Sequence, residues 1–293
     1  MLFNTPVFWL FFIAVYLAYV ALLRTTNARL WLLLMASLFF YGCWNPAFVP
    51  LLLFSIAVDF YAGRAMPDAS PRRKRLLLVA SLGVNLGALA VFKYSNFFTQ
   101  SMLNPIFAGF ELDLWIPKLE ILLPVGISFY TFQGMSYTID VYREETKAER
   151  HLGIFALFVC FFPQLVAGPI ERSSDLLPQF FENHKFDYDR VTDGLKQMIW
   201  GMFKKVVVAD RLATVIDPAF TNPQDFEGIP LLMAAALFPF QVYCDFSGYS
   251  DIAIGGARVM GYRLSVNFNR PYAARSVPEY WRRWHISLTT WFN

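Results

Sequence analysis

Six long stretches of this chain carry no charged side chain, and this feature constrains its fold more than any other. They cover residues 1–23, 30–58, 76–92, 121–139, 152–170 and 228–244. A helix that crosses a bilayer needs about 20 mainly apolar residues, because each residue advances about 1.5 Å through a hydrocarbon core about 30 Å thick. One such run could be a core helix of a soluble protein, but six indicate a membrane protein.

The composition agrees with this interpretation. Charged residues make up 16% of the chain, against about 25% in an ordinary soluble domain. Hydrophobic residues reach 56% and the mean hydropathy is +0.41. The net charge of +3 is too small to indicate nucleic-acid binding. We therefore predict an all-α polytopic transmembrane bundle that forms a single membrane domain over residues 1–293, with the lipid bilayer as its surroundings.

The apolar runs and the residues that interrupt them predict eight spans and a helical tail. The spans are placed at 7–23, 30–44, 47–61, 76–92, 121–139, 152–167, 195–216 and 229–249, and the tail at 278–292. Asn45 and Pro46 divide the second run into a helical hairpin. Pro163, Pro169 and Pro178 interrupt the segment 160–190, where we predict a re-entrant or interfacial element, because irregular backbone at membrane depth needs protein or water around it.

Basic residues predict the orientation. They cluster in loops 24–29, 62–75 and 140–151, whereas the first residues and the turn at 45–46 have none. By the positive-inside rule these loops are cytoplasmic and the N-terminus lies outside. Lys204 and Lys205, within a predicted span, suggest a helix near the interface, or side chains that snorkel towards it.

Three polar groups of residues interrupt the apolar sequence, where ionisable side chains are costly and usually functional. The first is Gln164 to Arg172, in which Pro169 helps to end a helix and brings Glu171 and Arg172 near membrane depth. This group could belong to a site, or it could be a helix terminus with a structural Glu–Arg pair. The spacing does not distinguish the two.

The second group runs from Gln241 to Arg258. In a helix, Tyr243, Ser247 and Asp251 would share one face with Arg258, while Asp245 adds a second carboxylate. Gly248 and Gly255 would let a neighbouring helix approach closely. Such a face could line a water-filled cavity or form a hydrogen-bond network that only fixes packing.

The third group is Tyr280 to Trp291. At helical spacing Arg282, His285 and Thr289 would form a polar stripe, and Trp284, Leu288 and Trp291 an apolar one. A neutral imidazole can accept a proton from a hydroxyl near neutral pH, so His285 is a candidate general base. A histidine beside tryptophans is more often structural, and both interpretations stay open at this point. His151 and His184 lie in charged, loop-like stretches.

Signatures of other chemistry are missing from the sequence. It has no GxGxxG, Walker, GxSxG or HExxH motif. Cys43, Cys160 and Cys244 lie in apolar segments without CxxC or Cys/His spacing, so we expect buried thiols and no metal site.

Motifs within these segments resemble one known family. They are MLFN at 1–4, LPVGISFYTFQ at 123–133, FPQLVAGPI at 162–170, DFSGYSD at 245–251, NFNRPY at 267–272 and WRRWHISL at 281–288. Over nearly its whole length the chain is similar to the membrane-bound O-acyltransferases. It most resembles the bacterial branch that O-acetylates alginate and related exopolysaccharides. The branch that D-alanylates lipoteichoic acid shares several of the motifs.

The resemblance implies an enzyme of the inner membrane with a passage through the bilayer. An acyl group, acetyl if the branch is right, would pass from a cytoplasmic thioester such as acetyl-CoA to periplasmic acetyl-transfer proteins or a polysaccharide, with no bound cofactor. His285 would activate the hydroxyl. The residues expected to bind substrate or line the passage are Gln164, Pro169, Glu171, Arg172, Tyr243, Asp245, Ser247, Asp251, Asn267, Arg282 and Trp284.

One departure from the family pattern matters. Family members carry a second histidine some tens of residues after the first, together with further spans, and the sequence stops at Asn293. We therefore expect an N-terminal part of a longer protein that is inactive alone. Two alternatives remain: a transporter or flippase without covalent chemistry, and a scaffold that holds periplasmic partners.

Overall fold

A computed structural model describes residues 1–110, 112, 114–119, 122–166 and 168–292, and every regular element in these ranges is helical. The α-helices are α1 Pro6–Ala21, α2 Thr26–Gly42, α3 Val49–Ala65, α4 Pro71–Leu89, α5 Ser95–Phe98, α6 Asn104–Gly109, α7 Ile127–Tyr142, α8 Leu152–Cys160, α9 Ser173–Phe181, α10 Tyr188–Met202, α11 Asp210–Thr221, α12 Ile229–Met260, α13 Val277–Arg283 and α14 Ile286–Phe292. The all-helical prediction is confirmed. The chain divides into two compact units, Met1–Trp44 with Cys160–Asn293, and Asn45–Val159.

Helix α1 shows how an apolar sequence here forms a helix with two different faces. Thr5 accepts a hydrogen bond from the Phe8 amide, and Pro6 occupies the first helical position, where its missing N–H costs nothing. Phe8 and Phe12 are buried, whereas Leu10 and Leu17 are 70% and 64% exposed. An exposed leucine face on an otherwise packed helix is what contact with lipid requires.

Three described helical stretches are long and apolar enough to cross a membrane: Pro46–Ala65, Pro71–Gly109 and Ile229–Met260. The predicted break at Asn45 and Pro46 is confirmed, because α2 ends at Gly42 and Asn45 caps the next helix by accepting the amide hydrogen of Ala47. The predicted span 76–92 is too short, because the helix begins at Pro71 and continues through two π-helical turns to Gly109. The predicted span 121–139 starts outside the described residues, and α7 begins at Ile127.

The predicted span 152–167, whose last residue lies outside the described ranges, is wrong. Helix α8 has only nine residues and ends at Cys160, because Pro163 and the Gly168–Pro169 pair that follow cannot continue a helix. The irregular segment after it is nevertheless packed in protein: Phe161, Phe162, Leu165 and Gln164 are all buried. Irregular backbone in this region, predicted from the prolines, is confirmed.

Helices α10 and α11 form one continuous helix through a π-helical segment, Phe203–Ala209, and pack antiparallel on α12 through glycines. A Cβ on Gly194 would lie 2.8 Å from the carbonyl oxygen of Gly255, and one on Gly201 would lie 2.6 Å from that of Gly248. The prediction that Gly248 and Gly255 admit a neighbouring helix is confirmed. Close approach of the two backbones follows from the absence of side chains at these four positions.

The unit Asn45–Val159 holds a buried polar cluster where α3, α4 and α7 meet. Asp59 is 1% exposed and its Oδ1 accepts hydrogen bonds from the Ser81 hydroxyl at 2.6 Å and the Asn85 amide at 2.7 Å. Thr138 donates a longer bond of 3.4 Å to the same oxygen. A buried carboxyl of this kind is tolerated because neighbouring helices supply the donors that water would otherwise provide.

Candidate active site

His285 lies at a break between two short helices that both come from the predicted tail. Its φ is +44°, in the left-handed region that a non-glycine residue rarely adopts. Helix α13 therefore ends at Arg283 and α14 begins at Ile286. The prediction of one helix over 278–292 is wrong, and so are its two stripes, since the turn at Trp284 and His285 changes the direction of the side chains that follow.

The Asn267 side chain holds His285 in place. Asn267 Oδ1 lies 3.1 Å from His285 Nδ1 and accepts hydrogen bonds from the Ser287 hydroxyl at 2.9 Å and the Ser287 amide at 3.3 Å. The backbone contributes too, because the Ile286 amide donates to the Asn267 carbonyl at 2.9 Å. Asn267 is 1% exposed, so its contacts are made in a dry surrounding.

These contacts determine which nitrogen of the imidazole carries the proton. A backbone amide can only donate, so the atom facing the Ser287 N–H must be the oxygen of Asn267. An oxygen without hydrogen can only accept, so His285 Nδ1 carries the hydrogen and Nε2 carries the lone pair. Burial lowers the pKa of His285 to about 4, which keeps the ring neutral at physiological pH.

One aromatic ring packs on the half-buried imidazole, and further aromatic side chains pack beside it. Phe246 of α12 meets the ring of His285 edge-on at 4.7 Å between centroids. Trp284 packs on Phe268 at 5.1 Å and stacks on Tyr280 at 5.6 Å. Tyr243, at 6.2 Å from Trp284, links this aromatic group to the polar face of α12. The predicted Trp284 and Tyr243 thus lie in the same neighbourhood as His285.

The polar face predicted on α12 exists, and two lysines occupy it. Lys204 Nζ lies 2.5 Å from Asp251 and donates a hydrogen bond to Ser247 at 2.9 Å, and it also lies 5.9 Å from the ring centre of Tyr243. Lys205 bridges Asp245 at 2.5 Å and Asp210 at 2.7 Å. We expected these lysines to lie near the interface or to snorkel towards it, and we did not expect the ion pairs. The sequence alone does not tell which distant helices pack together.

A cavity of about 260 Å³ opens beside this face. Its lining includes Asn4, Lys205, Asp245 and Phe246. Phe246 therefore borders both the cavity and the imidazole of His285. The lining thus combines the charged pair of Lys205 and Asp245 with the aromatic ring of Phe246.

In the Gln164–Arg172 group, the Glu–Arg pair that was one of the two interpretations does not form. Glu171 is 1% exposed and accepts hydrogen bonds from the Ser265 amide at 2.6 Å and its hydroxyl at 2.9 Å. Burial raises the pKa of Glu171 to about 7. Arg172 instead donates to the backbone carbonyl of Thr290 in α14 at 3.1 Å. Glu171 and Arg172 therefore bind different segments of the chain and not each other.

The remaining predicted site residues have varied surroundings. Gln164 and Pro169 are buried in the irregular segment after α8, whereas Arg282 is exposed on α13. Arg258, two turns after Asp251 on α12, is exposed as well. Cys160 is buried as predicted, but Cys43 is exposed and Cys244 is half-buried.

Sequence reasoning missed four residues that shape the site: Ser287, Phe246, Lys204 and Lys205. Ser287 is two residues from His285 and could have been noted as a donor. The lysines carry a weaker signal: they are two cations in a mainly apolar stretch, followed by Asp210 nearby and by two further aspartates some 40 residues later.

These features define a helical membrane protein with a neutral, oriented histidine next to a charged helix face. The model of the membrane-bound O-acyltransferase family, MBOAT, matches residues 151–292, which include His285 and Asn267. Over 100% of its length the chain is 42% identical to "Probable alginate O-acetylase AlgI" of Pseudomonas putida and of Pseudomonas aeruginosa. It is 37% identical to "Peptidoglycan O-acetyltransferase" of Helicobacter pylori over 99% of the chain. Residues 151–292 thus match the membrane-bound O-acyltransferase family, which is the family that the motifs resemble.

The likeness extends to part of each relative. The chain spans 60% of the Pseudomonas putida protein and 56% of the Pseudomonas aeruginosa protein. A more distant relative, "Teichoic acid D-alanyltransferase" of Streptococcus thermophilus, is 29% identical over 58% of the chain.

Proposed function

We propose that the protein is a membrane O-acyltransferase and that His285 is its general base. The observation that carries this proposal is the contact between His285 Nδ1 and Asn267 Oδ1, at 3.1 Å. It places the lone pair on Nε2 in a ring that burial keeps neutral, which is the form that can accept a proton. The match to the O-acyltransferase family supports an acyl-transfer reaction for this base.

The step we propose is attack of an acceptor hydroxyl on an acyl thioester. The hydroxyl oxygen bonds to the thioester carbonyl carbon while its proton moves to His285 Nε2. The carbon–sulfur bond then breaks, and the departing sulfur takes the proton back from the imidazolium. Asn267 acts as a positioning residue, since it orients the ring without touching the reacting atoms.

The donor we propose is a cytoplasmic acyl thioester, acetyl-CoA or another, and the acceptor is an exopolysaccharide hydroxyl or a periplasmic acetyl-transfer protein beyond the membrane. The names of the more similar relatives refer to O-acetylation of alginate and of peptidoglycan, which supports acetyl over D-alanyl transfer. Basic loops 24–29 and 62–75 support an N-terminus outside the cytoplasm of an inner-membrane protein. The predicted Gln164, Pro169, Glu171, Arg172, Tyr243, Asp245, Ser247, Asp251, Arg282 and Trp284 remain proposed as lining residues.

The test is acetyl transfer from radiolabelled acetyl-CoA to polysaccharide in membranes containing the native protein or its His285→Ala variant. General-base catalysis is worth about 100-fold or more, so we expect the variant to lose at least that much activity. Asn269→Ala is the control, because the Asn269 side chain is exposed and only its backbone amide is bonded, to Arg283. Undiminished transfer by His285→Ala would refute the base. Transmembrane movement of the substrate without thioester consumption would favour a transporter.

A further inference from the structure

The unit Asn45–Val159 contains a second, larger cavity, of about 940 Å³, at one end of two candidate spans. Arg64 lies beside the last residue of the span Pro46–Ala65, and Lys74 lies in the first turn of the span Pro71–Gly109. Lys147 and Arg150, from the loop after α7, complete its basic lining. We call these four residues and the space between them the basic cavity. Its position at the helix ends corresponds to the headgroup layer of a bilayer.

Three carboxylates also line the basic cavity, and two of them have hydrogen-bond or ion-pair partners within the protein. Glu144 pairs with Lys74 at 2.6 Å. Glu149 Oε1 accepts hydrogen bonds from the backbone amides of Arg150 at 2.7 Å and His151 at 2.9 Å. The third, Asp68, is exposed in the loop between the two spans.

Of the four cations in the lining, only Lys74 forms an ion pair among the described residues. In the described ranges no ion pair reaches Lys147 or Arg150. The guanidinium of Arg64 lies 5.9 Å from the Phe60 ring centre and donates a hydrogen bond to the Arg150 carbonyl at 3.3 Å. These contacts position the side chain and leave its positive charge unpaired by a carboxylate. Three cations thus converge on one space, which is the chemistry that recognises a phosphate.

We propose that the basic cavity binds the phosphate of an anionic phospholipid. A lipid is favoured over a soluble phosphate compound because apolar side chains border the basic residues on the membrane side. Tyr61, one turn before Arg64, is 60% exposed, and Leu76, two residues after Lys74, is 68% exposed. The lipid phosphate would contact Arg64, Lys147 and Arg150 while its acyl chains lie along these exposed side chains.

The experiment is native mass spectrometry of the purified native protein titrated with phosphatidylglycerol, with phosphatidylcholine of the same acyl chains as reference. The test variant is Lys147→Gln with Arg150→Gln. The matched control is Arg72→Gln with Arg73→Gln, which removes the same charge from an adjoining exposed stretch that does not line the cavity. A juxtamembrane cation contributes about fivefold to the affinity for an anionic lipid, so the cavity variant should bind phosphatidylglycerol about 25-fold more weakly.

We expect tight binding of phosphatidylglycerol, weak binding of phosphatidylcholine, and retained phosphatidylglycerol affinity in the control variant. Equal losses in both variants would mean a diffuse basic surface and would overturn the proposal. No loss in the cavity variant would overturn it too. Displacement of the lipid by inorganic phosphate or by coenzyme A at similar concentration would reassign the cavity to a soluble phosphate compound. Circular dichroism of each variant checks that the helical fold is intact.

Discussion

Gly201 and Gly248 lie so close that a Cβ on Gly248 would stand 2.8 Å from the carbonyl oxygen of Gly201. Gly194 and Gly255 repeat this arrangement seven residues away along each helix. The two pairs bring the backbones of α10 and α12 together. One consequence is that Lys204 and Lys205 reach Asp251 and Asp245, so the glycines position the charged face of the candidate site.

The first prediction concerns this contact. Gly248→Ala should lower the free energy of unfolding by about 1–3 kcal/mol, because the added methyl group meets backbone that cannot move aside. Thermal unfolding of the purified protein in detergent measures it. Gly83→Ala in α4 is the control, since nothing lies within 4 Å of a Cβ there, and it should be neutral or stabilising by about 1 kcal/mol. Similar stability of both variants would contradict the close packing.

The second prediction concerns the hydrogen bond between Asn267 and His285. Asn267→Ala removes the acceptor of both the imidazole Nδ1 and the Ser287 hydroxyl. We expect acyl transfer to fall about 10- to 100-fold, since misplacing a catalytic group costs this much. The measurement is kcat/KM in membranes, with Asn269→Ala as control. Full activity of Asn267→Ala would show that the contact does not orient the base.

The third prediction is a pH dependence at the same contact. Because burial lowers the pKa of His285 to about 4, activity should persist below pH 6 and decline only near pH 4, where the ring takes up a proton. Asn267→Asp would keep the acceptor and add a negative charge, which favours the imidazolium. Its acid limb should therefore move to higher pH. An acid limb near pH 6.5 in the wild-type protein would contradict a buried, neutral His285.

The fourth prediction concerns Glu171, whose pKa burial raises to about 7. The folded protein holds a proton on this carboxyl that the unfolded chain releases above about pH 4.5. The contribution of this group to the free energy of unfolding is therefore complete below pH 4.5. It is lost as the pH rises towards 7, and the loss is at most about 3 kcal/mol.

Glu171→Gln tests this directly, because an amide accepts from the Ser265 amide and donates to its hydroxyl without titrating. The wild-type unfolding temperature should fall between pH 5 and pH 7 more than that of the variant. Glu227→Gln, at an exposed position, is the control and should behave like the wild type. Parallel pH profiles of wild type and Glu171→Gln would contradict the raised pKa.

The fifth prediction concerns the buried Asp59 cluster. Asp59→Ala removes the shared acceptor of Ser81 and Asn85 and should destabilise the protein by about 1–3 kcal/mol, since buried donors lose their partner. Asp68→Ala, in an exposed loop, should change stability by less than about 0.5 kcal/mol. Equal unfolding temperatures for the two variants in detergent would show that the cluster adds nothing.

Residue patterns anticipated those features that depend on neighbours along the chain. Asn45 and Pro46 marked the break between two helices, and Gly248 and Gly255 marked the close helix contact. Helical spacing placed Tyr243, Ser247 and Asp251 on one face, which Lys204 contacts. Spacing failed at the tail, because the left-handed backbone of His285 is stabilised by contacts with Asn267, 18 residues away.

The sequence by itself determined that this chain belongs in a membrane and that its elements are helices. Six charge-free runs of this length indicate a membrane protein, and an apolar segment in lipid must satisfy its own backbone. Only the tertiary structure decided which polar groups meet. It directed Glu171 to Ser265 rather than to Arg172, and it joined His285 to Asn267. The reason is physical: a buried polar group takes whichever partner the packed helices bring within about 3 Å, and no local pattern encodes that choice.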